Sequence, residues 1–264
     1  MSSMPLLAGG ANTQIVLGDG GSTAAINLGN TGALGMYRWT VAGGQNQLNQ
    51  EWFWYSVNGG PVQAINTIGG LTVSLNAHGT DGLNDLTLTY ANSTLSVSVE
   101  YVLTGNGANS ASADLEKFIR IDNNSGEAIN NFSLIEYSNF NLLQANNDTV
   151  TIQGSPGNYT EAEQNFDGGL LPGAATVTLP SANYADTGLP GQTLDDVISG
   201  TLDDNVSAGP GNVAFALQWT ASLAEGAELD IAQDSAVSIA LIPEPSTVAL
   251  FSLALAGLLL HRKA

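Results

Sequence analysis

The side chains able to do chemistry in this chain are nearly all carboxylates. Asp195-Asp196 and Asp203-Asp204 form two adjacent pairs within one Gly- and Pro-containing segment. Adjacent carboxylates repel unless a cation or solvent screens them, so the pairs read as a solvated acidic loop or as candidate Ca²⁺ ligands. A second oxygen-rich stretch, Asn76-Ala77-His78-Gly79-Thr80-Asp81-Gly82-Leu83-Asn84-Asp85, sets Asp81 and Asp85 around a glycine, loosely as in a Ca²⁺ loop. It lacks the full D-x-[DN]-x-[DN]-G spacing and the distal Glu. Two carboxylates can also hydrolyse a glycosidic bond, but their separation defines that mechanism and a sequence does not contain it. His78 is the sole histidine ahead of the C-terminal tail, so any Ser-His-Asp triad must use it. Its turn-like setting reads as a surface histidine. No catalytic constellation is recognisable, and the residues point away from an enzyme. Ca²⁺ is the one cofactor they admit.

Aromatic side chains are the other candidates. Trp52-Phe53-Trp54-Tyr55 is the densest aromatic run. In a strand, Trp52 and Trp54 share one face while Phe53 and Tyr55 share the other. One pair is expected to fill a core and the other to face loops, a partner or a sugar ring, with Trp52 and Trp54 as the candidates; full burial on both sides is the default reading. Sequons at Asn92, Asn123, Asn131, Asn147, Asn158 and Asn205 are expected by chance in so Asn-rich a chain.

These residues need strands to hold them. Leu86-Thr87-Leu88-Thr89-Tyr90 and Leu95-Ser96-Val97-Ser98-Val99-Glu100-Tyr101 alternate apolar and polar, the period of a half-buried strand. Ala91 to Thr94 reads as the hairpin turn between them. Further strands are expected at 36–41, 52–57, 71–75, 118–121, 132–137, 150–152, 175–179, 213–222 and 237–241. No strong amphipathic helix intervenes. The polar, Gly-rich stretches 154–172 and 180–210 read as loop insertions or a domain boundary. No fixed-period repeat is present. The expected fold is all-β: one antiparallel β-sandwich over residues 12–241, with a hydrophobic helix at the C-terminus.

Charge narrows the partners. The 264 residues hold 24 acids and five cations; one acid and two cations belong to the tail, which leaves 23 against three and a net charge of −20 over residues 1–242. Such a surface repels nucleic acid, whose binding rests on Lys and Arg neutralising phosphates. The chain has no cysteine, so disulfides, thiolate metal sites and Cys nucleophiles are excluded. Glycine, Asn, Thr and Ser in abundance suit a β-rich exported protein.

The tail says where the protein goes. Ile242-Pro243-Glu244-Pro245-Ser246-Thr247 precedes an uncharged apolar run from Val248 to Leu260, followed by His261-Arg262-Lys263. As a helix the run is roughly 20 Å long, which can span a bilayer core of roughly 30 Å by local thinning and snorkelling of the cations. Pro243 and Pro245 end the helix on its outer side. Arg262 and Lys263 act as the stop-transfer residues that keep the extreme end cytoplasmic and the body outside. This order of motif, short helix and basic end resembles the PEP-CTERM sorting signal of Gram-negative bacteria. The resemblance covers only the last 22 or so residues, and it implies recognition of Pro243, Glu244 and Pro245 by an exosortase, an integral-membrane cysteine protease-transpeptidase. The protein would lie in the inner membrane as a precursor and then at the cell surface or outside it. Residues 1–11 read as the remnant of a signal peptide whose start lies upstream, or as a disordered start: Leu6 to Gly10 end in small residues but lack a basic n-region.

Two function classes follow. The body is a non-enzymatic surface or extracellular-matrix protein sorted through its tail; the alternative is a carbohydrate-binding or carbohydrate-active sandwich, with extracellular polysaccharide as partner, delivered by the same route.

Overall fold

Alternation builds the sheets. In the strand Leu95–Gly105, Leu95, Val97, Val99, Tyr101 and Leu103 are buried while the residues between them are partly or fully exposed. The neighbouring strand Ser112–Asn123 repeats the pattern with Ala113, Leu115, Lys117, Ile119 and Ile121 inside. Burying each large apolar side chain in this way contributes about 1.5–3 kcal/mol. The computed structural model describes residues 14–28, 34–77, 82–107, 110–166 and 173–239. The expected C-terminal helix, the Pro-Glu-Pro motif and residues 1–11 lie outside them.

Among the described residues, seventeen strands and one α-helix follow in chain order: β1 Gln14–Asp19, β2 Ser22–Asn27, β3 Gly35–Thr40, β4 Leu48–Val57, β5 Gln63–Ala64, β6 Thr72–Asn76, β7 Asp85–Ala91, β8 Leu95–Gly105, β9 Ser112–Asn123, β10 Ile129–Phe140, β11 Asp148–Gln153, β12 Tyr159–Phe166, β13 Gly173–Ala182, β14 Tyr184–Gly188, α1 Pro190–Ser199, β15 Ser207–Gly211, β16 Ala214–Leu223 and β17 Glu228–Ile239. They form two antiparallel sheets. One runs β1-β2-β3-β4-β10-β16-β14, with β5 also on β4; the other runs β15-β11-β12-β13-β17-β9-β8-β7-β6. Their inner faces share one core, so the fold is the antiparallel sandwich expected from the alternation.

Two turns show how residue type sets the connections. Asn92 Oδ1 accepts from the backbone N–H groups of Thr94 and Leu95, an Asx turn that closes the β7–β8 hairpin. Gly20 and Gly21, both at positive φ, join β1 to β2 in a two-residue loop. That loop lies so close to Gly105 that a Cβ on Gly20 would sit 2.4 Å from the Gly105 carbonyl oxygen.

The expectation of loops at 154–172 and 180–210 is corrected. The first contains β12, and the second contains β14, α1 and β15. The helix was hidden by its own boundary residues: Pro190 opens it, and Gly200 at φ +76 caps it by donating to the Asp196 and Val197 carbonyls. Proline at the first turn and glycine just past the last are helix limits as much as loop markers. Helix α1 packs Val197 on Ile135, Tyr137, Ala214 and Ala216, on the face of β10 and β16 that points away from the partner sheet. β10 is therefore buried on both faces from Phe132 to Phe140.

Candidate functional site

Strand register brings a polar layer into the middle of the apolar core. Across the inner face of the larger sheet, Gln233 of β17 stands opposite Lys117 of β9, which stands opposite Tyr101 of β8. On the facing sheet, Glu51 of β4 stands opposite Ser138 of β10, with Glu136 two residues along the same strand face. The side chains of Lys117, Glu51 and Glu136 have no solvent exposure. Lys117 Nζ donates to Glu136 Oε1 at 2.6 Å and pairs with Glu51 Oε2 at 2.9 Å, so one ammonium joins the two sheets. Gln233 Nε2 donates to Glu136 Oε2 at 2.6 Å. Glu136 is thus held at both oxygens, whereas Glu51 Oε1 has no hydrogen-bond partner. The hydroxyls of Tyr101 and Ser235 are likewise buried without one, while the Ser138 hydroxyl acts on the Glu51 carboxyl as a hydrogen-bond donor.

Electrostatics in this layer follow from one cation serving two acids. Burial pushes the Glu51 carboxyl up to about 7; Lys117 pulls it back down and Glu136 adds repulsion. Burial pulls on Lys117 in the opposite sense, but Glu136 and Glu51 outweigh it, so its ammonium is held more firmly than in water. The Tyr101 phenol is raised well above its usual value, first by burial and then by Glu51, Tyr90 and Glu136.

The acidic segment lies elsewhere, where α1 meets β14. Asp186, which the sequence reading did not single out, is buried beneath the helix and accepts from Asn205 Nδ2 at 2.9 Å. Burial raises its carboxyl above the ordinary range; Asn205 opposes this, while Asp196 and Asp203 reinforce it. Asp196 and Asp203 therefore converge on Asp186. Asp204, at φ +57, accepts at Oδ1 from Tyr159 Oη at 3.2 Å and from the Ala185 N–H at 3.3 Å. Asp195 points to solvent from the helix flank. Asp85 is buried at the start of β7 and accepts from Asn76 Nδ2 at 3.3 Å, and Asp81 and His78 lie outside the described residues. Among the described residues no group of three or more His, Asp or Glu side chains is placed to hold a metal ion.

The two tryptophans part company. Trp52 is wholly enclosed and meets Tyr90 edge-on, ring centres 6.2 Å apart. Trp54 is half-buried and meets Tyr137 edge-on at 6.1 Å, beside the α1 cluster. Tyr137 Oη in turn donates to the Pro190 carbonyl at the start of the helix.

A further buried acid fixes the end of β10. Asp148 Oδ2 accepts from the Leu142 N–H at 3.2 Å and from Gln164 Nε2 at 3.1 Å, and Gln164 also donates to the Phe140 carbonyl. Burial raises Asp148 to about 6 against both hydrogen bonds. Part of the signal that locates such groups was present in the sequence: Lys117 occupies the apolar phase of an alternating strand, and a charge in that phase is a buried charge.

No helix among the described residues is long and apolar enough to cross a membrane, and the apolar run 248–260 lies beyond them. No curated protein sequence matches the chain. Among solved structures, a bacterial glucoamylase complexed with acarbose is similar over 96% of this chain and 37% of its own, at 8% identity and a TM-score of 0.52. The chain thus spans little more than a third of that enzyme. A protein described as an aldose 1-epimerase from Escherichia coli K12 is similar over 88% of this chain and all of its own, at 9% identity and a TM-score of 0.47. At 8% identity the likeness to the glucoamylase is one of fold. Residues 241–263 match the PEP-CTERM protein-sorting motif, so the tail of this chain carries that sorting signal.

Proposed function

We propose that this protein is exported, held in the inner membrane by its tail, and released to the cell surface or extracellular matrix after an exosortase cuts near Pro243-Glu244-Pro245. The observation that carries this reading is the sorting motif at residues 241–263. The sandwich supports it, since its last described strand ends at Ile239, just ahead of the motif. Two prolines keep the segment extended, the backbone state a protease needs. Arg262 and Lys263 resist translocation and hold the body on the outer side. Replacing Pro243, Glu244 and Pro245 with alanine should leave insertion intact and block processing. Uncut precursor then accumulates in the membrane, while the unaltered chain yields a form shorter by roughly 20 residues, judged from the length of the apolar helix and its flanks. Identical mature masses for the two would reduce the tail to an anchor.

A sugar-binding body is the second reading, favoured by the half-buried Trp54 and by fold similarity to a glucoamylase crystallised with acarbose. Stacking on a sugar ring would quench tryptophan fluorescence as oligosaccharide is added, and Trp54→Ala would abolish that change. Unchanged fluorescence at saturating oligosaccharide leaves the non-binding surface role.

A further inference from the structure

The interior layer contains the three groups that amide formation requires: an amine, a carboxyl beside it, and a second carboxylate able to move protons. Lys117 Nζ is 2.9 Å from Glu51 Oε2, which brings it against the carboxyl carbon. Glu136 Oε1 is 2.6 Å from the same nitrogen, and its other oxygen is pinned by Gln233. In water an ammonium and a carboxylate stay apart as hydrated ions. Sealed between two sheets they lose that hydration and are held in contact, with Glu136 placed to take the proton that Lys117 must give up. Fixed contact also replaces a bimolecular encounter with an effectively unimolecular one, worth up to about 10⁵–10⁸ M in effective concentration.

We propose that Lys117 and Glu51 join in an intramolecular amide bond, with Glu136 as the proton carrier, so that β4 of one sheet is covalently tied to β9 of the other. Glu136 takes a proton from the Lys117 ammonium. The freed Nζ lone pair attacks Cδ of the Glu51 carboxylic acid and forms the C–N bond. Glu136 returns its proton to the Glu51 hydroxyl, the C–O bond breaks and water leaves. The remaining excess proton on nitrogen passes to Glu136. An ammonium, a neutral acid and a carboxylate thus become an amide, a water molecule and a neutral acid, with atoms and charge conserved. The buried charges are gone at the end, which removes the desolvation cost that a sealed ion pair carries.

The roles are set by the contacts. Glu136 accepts from Lys117 at one oxygen and from Gln233 at the other, which places it to take the lysine proton, hence as base. Glu51 has an unpartnered oxygen and an environment that favours its protonated form, hence it is the acyl partner. Ser138, opposite Glu51 and already a donor to its carboxyl, and Tyr101, opposite Lys117, bring hydroxyls into the same layer, suited to the oxyanion of the tetrahedral intermediate. A brace of this kind has a place in a chain without cysteine, where no disulfide can link the sheets.

The scarcity of cations makes the test direct. Between Arg38 and Arg120 trypsin has one further site, Lys117. In the purified full chain, denatured and digested, we expect residues 39–120 as one uncut peptide lighter by one water, with fragment ions placing the link between Glu51 and Lys117. The variant Glu136→Gln should give cleavage at Lys117 and unmodified masses, with circular dichroism reporting whether its sheets form. Cleavage at Lys117 with unmodified masses in the unaltered protein overturns the proposal, and this holds whatever the variant does. So does a link from Lys117 to Glu136, a link to Gln233 with loss of ammonia, or a Glu136→Gln chain joined as fully as the wild type.

Discussion

The polar layer between the sheets and the acidic corner under α1 each gather carboxylates around a buried acid, yet they handle charge in opposite ways. In the layer, Glu51 and Glu136 face one ammonium and no solvent. In the corner, Asp186 has only the Asn205 amide as a direct neutral donor, and Asp196 and Asp203 raise it further while remaining partly or fully exposed. The layer balances charge with a cation because water cannot reach it, whereas the corner lets solvent do that work. Of the three cations in the body, Lys117 is spent inside, and Arg120 pairs with Asp122 and Glu228 on the outer face of the larger sheet. The corner's excess negative charge therefore depends on solvent and salt.

Removing the cation is the severest way to break this comparison. Lys117→Met strands two carboxylates in the core, and loss of one partner from a buried ionic set costs about 3–5 kcal/mol. Chemical denaturation should show that loss as a lower midpoint. Adding Glu51→Leu and Glu136→Leu to the same chain should recover the part due to stranded charge, because an apolar layer of similar size has nothing left to pair, and leave the part due to the lost link between the sheets. A Lys117→Met chain as stable as wild type would mean that the layer is not sealed.

How much of this was legible beforehand differs between the two regions. The sandwich could be read because strands such as β7 and β8 alternate cleanly and the Asn92 turn declares itself. The corner was half visible: Asp196 and Asp203 stood out as acidic pairs, but Asp186 lies in Tyr184–Gly188, a strand too short and too mixed to show a period. The layer was hidden by counting charges along the chain in place of strand phase. Leu115, Lys117, Ile119 and Ile121 share one face, as do Leu134, Glu136 and Ser138, but only the register pairs Lys117 with Gln233 and Tyr101 and Glu51 with Ser138. Which distant strands face each other across a sandwich is a tertiary fact that no local period carries.

A gentler probe uses pH on Asp148, an acid buried with neutral donors only. Its folded value of about 6 exceeds the unfolded value of 3.8, so the folded chain keeps a proton that the unfolded chain releases. That contribution is complete below the unfolded value and is lost as pH rises through about 6. Thermal midpoints of wild type and Asp148→Asn should thus diverge between those two values, the wild type losing ground as pH rises, and run parallel on either side. Asp186→Asn should show the same sign, since its carboxyl is raised as well. Parallel curves across the whole range would remove burial as the cause of either shift.

The smallest effects sharpen the corner itself. Asp195 and Asp196 are adjacent in sequence but unlike in setting: Asp195 faces solvent, and Asp196 turns toward Asp186. Asp195→Asn should change stability by no more than about 0.5 kcal/mol, as surface substitutions do. Asp196→Asn relieves a carboxylate–carboxylate repulsion and offers Asp186 an amide donor, so it should stabilise slightly, and the gain should shrink as added salt screens the repulsion. If Asp196→Asn instead destabilises the protein and Asp195→Asn does not, a cation in solution is already bridging Asp196 and Asp186. Repeating the measurement with a chelator then decides the matter, because removing Ca²⁺ would reproduce the loss in the unaltered chain.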